Sequence, residues 1–198
     1  MKKVFLILVL LTFTACAQVS YVEPTEGPVG KVRFVTNVDS GITLIKQYSD
    51  AQCNNASEMF RLRNEYLMNS QEKSLGMPLN TYRKEANAEV LIPANDQQHF
   101  FFHMTTFLSG YTLECGVYVS HKFIEDKSYE LYAHKVWKTL AAEELLDTPI
   151  DDLLESCVVD LVEIVGEGDD AQKVPIKTYN NQLSNMSHGC AKEINQLY

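Results

Sequence analysis

Positive charge is scarce in this chain. It has 17 Lys and Arg against 26 Asp and Glu, a formal net charge of −9. Phosphate backbones require basic patches, so the balance argues against nucleic acid as a partner. It argues equally against anionic lipid headgroups as the main surface contacted. No Cys-x-x-Cys pair occurs, which removes the usual basis for a zinc knuckle or a thioredoxin-like centre. There is no Gly-x-Ser-x-Gly elbow, no His-Glu-x-x-His pair and no phosphate-binding glycine loop. No cofactor is therefore expected. Beyond the first eleven residues no apolar run approaches the roughly twenty residues that a membrane-spanning helix needs. Internal repeats and low-complexity segments are also missing.

What is present begins at residue 1. Lys2 and Lys3 form a short basic segment, residues 4–11 are unbroken apolar, and Phe13-Thr14-Ala15-Cys16 brings small residues up to a cysteine. Basic, apolar and then small is the order of a secretory signal rather than of a folded element. With a cysteine directly after the cut, the stretch resembles a bacterial lipoprotein signal with its lipobox. That resemblance covers residues 1–18 and implies that Cys16 becomes an acylated N-terminus. Each buried methylene contributes about 0.8 kcal/mol, so several acyl chains make a lasting anchor. Ala17, where many inner-membrane lipoproteins carry Asp, implies the outer membrane, with the domain on its periplasmic face. The general layout resembles the uncharacterised Gram-negative lipoproteins built from a small disulfide-bearing β-domain.

Removing residues 1–15 leaves 183 of the 198 (198 − 15) and takes Lys2 and Lys3 with it, so the side-chain balance moves from −9 to −11. Residues 16–30 contain Pro24, Gly27, Pro28 and Gly30 without apolar periodicity and read as a flexible tether. Residues 31–198 read as one domain. With Cys16 committed to lipid, Cys53, Cys115, Cys157 and Cys190 remain, an even number that suggests two disulfides in an exported chain. Four cysteines allow three pairings, among which the sequence does not choose; tying neighbouring segments would give Cys53–Cys115 and Cys157–Cys190.

Within the domain, β-branched residues over 31–36 and 42–48, with Asp39-Ser40-Gly41 between them, read as a hairpin. Met59, Leu62 and Tyr66 recur at helical spacing, so 58–68 reads as a helix. Residues 69–86 form a polar loop, long enough to carry binding. Residues 89–93 read as a short strand. Over 98–108, Phe100, Phe102 and Met104 alternate with His99, Phe101 and His103. Ser109-Gly110 turns the chain, and Leu113, Cys115, Val117 and Val119 alternate with polar residues, directing Cys115 inward. Residues 129–137 form a further strand, and 112–137 reads as a hairpin. Residues 139–155 read as two short helices broken near Asp147, the second capped by Thr148 with Pro149 at its first position. Residues 157–165 and 173–179 read as strands, the latter an edge because of Pro175. Leu183, Met186, Cys190, Ile194 and Leu197 suggest a C-terminal helix. The total predicts a mainly β protein: an antiparallel β-sandwich with a few short helices, or else an α+β sheet with helices on one face.

Candidate chemistry is thin. On a strand His99 and His103 share a face but lie roughly 13 Å apart, too far for one metal. His121 and His134 could face each other across their expected hairpin, although an ordinary surface role fits better. The acidic turn at 166–170 lacks calcium-loop spacing and reads as solvated. Most aromatics over 100–137 read as core. Phe101 and Tyr118, on the more polar faces of their strands, are the residues expected to touch a partner. The function expected is a non-catalytic binding or assembly module, tethered to the outer membrane through Cys16 and contacting another envelope protein. The alternative is an enzyme acting on envelope polymers, or an inhibitor of an envelope hydrolase.

Overall fold

The computed structural model describes residues 21–38, 40–63, 74–83, 86–140 and 148–180, with the backbone alone at 150 and 151. Its strands are β1 (Val29–Thr36), β2 (Gly41–Tyr48), β3 (Ser57–Arg63), β4 (Asn87–Pro93), β5 (Gln97–Leu108), β6 (Tyr111–Lys122), β7 (Ser128–Trp137), β8 (Leu154–Val165) and β9 (Gln172–Asn180). They form a five-stranded sheet ordered β4-β1-β7-β8-β9 and a four-stranded sheet ordered β3-β2-β5-β6. The sheets pack face to face as a β-sandwich, as the alternation predicts. Helix among the described residues amounts to one turn, α1 (Ile150–Leu153), and a 3-10 turn at 168–170.

Period-two alternation builds the core. Val32 and Phe34 of β1, Phe100, Phe102 and Met104 of β5, Cys115, Val117 and Val119 of β6, and Leu131 and Ala133 of β7 all point between the sheets. Phe34 sits among Phe60, Phe100 and Phe102, with ring centroids 5.4–6.0 Å apart. Such offset and edge contacts add to the burial of the rings themselves.

Two expected hairpins do not form. β1 and β2 lie in different sheets, as do β6 and β7, so each connection crosses the sandwich. β1 instead pairs antiparallel with β4 and parallel with β7, one strand in from the edge of its sheet. The β5–β6 hairpin does form, with Leu108 opposite Tyr111 and Gly110 at φ +83° in the turn. β9 lies at an edge, as Pro175 predicts, and its register slips beside that proline.

The helix expected over 58–68 is strand β3 as far as Arg63, and the rest lies outside the described residues. A bulge opposite Ile45 and Lys46 gives β3 one extra residue, so Met59 and Phe60 are both buried. That breaks the period-two signature and imitates a helical stripe. The second expected helix is limited to α1, with Pro149 at the N-cap position rather than inside, and β8 already begins at Leu154. Residues 141–147 and the C-terminal helix expected after 180 lie outside the described residues.

The expected disulfide pairing is overturned. Cys115 bonds Cys157, 42 residues away, with Cα atoms 6.3 Å apart. Both cysteines take inward positions, one on β6 and one on β8, so the bond joins the two sheets through the core. Cys53 lies elsewhere, packed against Tyr48, Phe101 and Tyr118, and is itself disulfide-bonded, to a partner outside the described residues. Cys190 also lies outside them.

The segment read as tether is held from Tyr21 onward. Tyr21 donates to the Leu91 carbonyl at 2.9 Å, and Glu23 accepts from the Leu91 N–H at 2.8 Å. Two side chains thus satisfy the outward backbone groups of edge strand β4, which would otherwise invite pairing with another chain. Ala94 N–H also bonds the Pro28 carbonyl. Residues 21–30 therefore belong to the domain, and the tether boundary at 30 is corrected accordingly.

Candidate functional site

Three places on the sandwich gather reactive or sticky side chains. The first is the outer face of the four-stranded sheet. There, alternation on β5 turns out His99, Phe101 and His103, and register sets Phe101 opposite Tyr118 of β6. Phe101 is not a free contact surface: it is 1 % exposed and packs with Tyr48 and Cys53. Its ring lies over Gly116, where an added Cβ would come within 2.1 Å of the ring. A glycine here makes room for an aromatic on the neighbouring strand. The expectation that Phe101 meets a partner is thereby corrected.

Tyr118 is half-buried. Its hydroxyl and that of Ser120 both bond His99 Nδ1, the latter at 3.1 Å, and its ring stacks on the imidazole. Burial lowers the pKa of His99 against a smaller raising effect of Asp50, so the ring stays neutral at pH 7. The arrangement is a polar trio on an aromatic bed. His103 forms no pair with His99. It lies 3.4 Å from Glu114, and burial lowers its pKa too. His121 packs edge-on against Phe123 and Tyr129, whereas His134 sits in the other sheet, 3.8 Å from Asp160. Among the described residues no set of His, Cys, Asp and Glu converges as a metal site.

The second place is the outer face of the five-stranded sheet, and the sequence reading missed it. Arg33, Glu89 and Glu130 are register neighbours on β1, β4 and β7. All three are buried. Arg33 donates to Glu89 at 2.9 Å, to Glu130 at 3.0 Å, and to the carbonyls of Met77 and Pro78 at 2.7 and 2.8 Å. Glu89 accepts from the N–H groups of Leu75 and Met77 at 2.7 and 3.1 Å. Glu130 accepts from Tyr82 and Lys173 at 2.9 and 2.7 Å. Burial opposes ionisation of Glu89, but the Met77 N–H, the Arg33 guanidinium and the Leu75 N–H outweigh it, so its pKa is lowered. The part of the long loop described, residues 74–83, is thus clamped over the sheet. The clamp is structural in kind, because its charges are spent on one another and on the loop backbone.

The third place is one end of the sandwich. Leu108 and Tyr111 are cross-strand neighbours at the β5–β6 turn, with Phe107 beside them. Lys135 Nζ donates to the Leu113 carbonyl at 2.7 Å, which brings the last turns of β7 to the same rim, and Trp137 ends β7 opposite Leu154. Phe107, Tyr111 and Trp137 are 51, 55 and 42 % exposed. They are the exceptions among the described aromatics, which are otherwise buried or half-buried, and Trp137 is the only tryptophan in the chain. The other exposed large apolar residues among those described are aliphatic: Val22, Leu108, Ile124, Val165, Val174 and Ile176. Burial drops Lys135 to a pKa of about 8 beneath this rim. Strand residue types gave no signal for the rim; a turn flanked on both sides by aromatics was the one available clue.

Compared with protein-family models, curated proteins and solved structures, the chain matches none of them.

Proposed function

We propose that the chain is a lipid-anchored, non-catalytic binding or assembly module of the outer membrane, tethered through Cys16 on the periplasmic face. The carrying observation is one of polarity. The chain joins the sandwich beside Leu91, near the end of β4, whereas the exposed aromatics lie at the opposite end of the strands. Four residues lie between Cys16 and Tyr21, so the five steps reach at most about 17 Å. By register Leu91 lies level with Lys31 and Ser128, and Trp137 follows nine residues along β7 (137 − 128), about 30 Å further on. An anchor at one end and an aromatic surface at the other suits a protein that holds a partner away from the bilayer.

The test is fractionation with metabolic labelling by an alkyne fatty acid, on the native chain and Cys16→Ser. Native chain in the membrane fraction carrying label, with Cys16→Ser soluble and unlabelled, is the expected result. An unlabelled native chain, or a Cys16→Ser form that stays membrane-bound, overturns the anchor. A second reading is favoured by the projecting β5–β6 turn: an aromatic hairpin tip can also fill an enzyme cleft, which would make the module an inhibitor of an envelope hydrolase.

A further inference from the structure

The aromatic rim has a chemistry of its own. Aromatic side chains are enriched at the centres of protein interfaces, where they carry most of the binding energy, whereas lone exposed aliphatics are ordinary surface. Here the exposed aromatics gather at one end, on Phe107 and Tyr111 either side of one turn and on Trp137 across the mouth of the sandwich. Exposed acids border them. Glu155 follows Leu154, the residue paired with Trp137, and Asp152 lies in α1, whose Leu153 carbonyl accepts from Lys138 N–H. Lys138 is the one exposed base among these neighbours.

We propose that this rim inserts into an apolar recess on a second envelope protein, and that lysine or arginine side chains border that recess. The proposal rests on the anchored reading, which fixes where the rim can reach. Copies held by Cys16 in one leaflet carry their rims at the end away from the tether, which favours a partner standing beyond the domain over a neighbouring copy. A partner protein beyond it is the occupant that the aromatic character favours over a glycan strand, and the bordering acids select a basic border by charge complementarity.

The experiment places a photoreactive phenylalanine analogue at Tyr111 or Trp137 of the full chain in intact cells, with Val174 as a control far from the rim. The expected result is one protein adduct from both rim positions and none from Val174. Its cross-linked peptide should lie in an apolar recess with lysine or arginine beside it. With the probe at Tyr111, Phe107→Ser combined with Leu108→Ser should lower adduct yield at least tenfold. Asp152→Lys combined with Glu155→Lys should lower it severalfold, and raised salt should do the same to the native chain. Circular dichroism of the purified variants distinguishes lost contact from lost fold. An adduct with a second copy, an adduct with a glycan, no rim adduct, or indifference to charge reversal each overturns the proposal. The Cys16→Ser chain separates the two ideas. Rim adducts that persist while the native chain carries no lipid would sink the anchor and leave the rim standing. A labelled, membrane-bound chain without rim adducts does the reverse.

Discussion

Both sheets of the sandwich have an outer face that is partly closed, and they close it by opposite means. Over the five-stranded sheet, Arg33, Glu89 and Glu130 hold the 74–83 segment with directed, charged hydrogen bonds. Over the four-stranded sheet, Phe101, Tyr48 and Tyr118 form an aromatic bed that fits because residue 116 is glycine. A charged cover loses much when one partner is removed, since the others remain buried without compensation. An aromatic cover depends on shape and loses in proportion to misfit. The two faces should therefore answer differently to substitution and to acid.

The largest contrast should come from Glu89→Ala. It strips Arg33 of a carboxylate and leaves the N–H groups of Leu75 and Met77 without their acceptor. The expected loss is about 3–5 kcal/mol in urea unfolding, with hydrogen exchange at 74–83 rising first. A loss below about 1 kcal/mol would show the clamp to be slack. Next comes the bond behind both faces. Replacing Cys115 and Cys157 by alanine opens a 42-residue loop and should cost about 4 kcal/mol on chain-entropy grounds. Because it joins the sheets, the loss should speed exchange on both faces alike. Mapping without reduction should return Cys115–Cys157 as one cross-linked peptide. The same map should identify the partner of Cys53, and the proposed acylation of Cys16 predicts Cys190.

A smaller effect is expected on the aromatic face. Gly116→Ala drives a methyl into the Phe101 ring and should cost about 1–3 kcal/mol. Phe101→Leu in the same chain should return part of that loss. If the two costs simply add, Phe101 does not lie over Gly116 as described.

Acid should separate the faces most gently. The folded pKa of His99 is lowered, so the unfolded chain binds more protons below its ordinary value of about 6.5. Stability from that face is full above about pH 6.5 and falls as pH drops through the folded value. Glu89 is also lowered, from an ordinary value of about 4.3, so its contribution is full above that pH and is lost further into acid. Exchange protection around His99 should weaken first and that of 74–83 later. The opposite order would contradict the comparison.

The parts of this fold that were legible in the sequence are those where alternation is strict. β5 and β6 show Phe100, Phe102, Cys115 and Val117 inward, and their turn was marked by Ser109-Gly110. Alternation says which face a residue takes but not which sheet its strand joins, so β1–β2 and β6–β7 read as hairpins although each pair is split between sheets. The disulfide pairing failed for the same reason, since it assumed that sequence neighbours were spatial neighbours. Arg33, Glu89 and Glu130 each sit between apolar residues and looked like ordinary outward charges. Only the segment laid over them, 44 residues along the chain from Arg33, makes them interior. The rim was hidden because aromatic residues are usually core, and their exposure depends on how far β5, β6 and β7 overrun the sandwich.

The place of β1 between β4 and β7 has a kinetic consequence. Arg33 finds Glu89 56 residues later and Glu130 97 residues later, so the first strand of the domain must wait for the fourth and the seventh. Long-range and parallel pairing slows folding because loop entropy is lost before contacts compensate it. Until β7 follows, β1 lacks one of its two partners. The same delay leaves a β-branched segment exposed while the chain folds, a place where off-pathway strand pairing can begin.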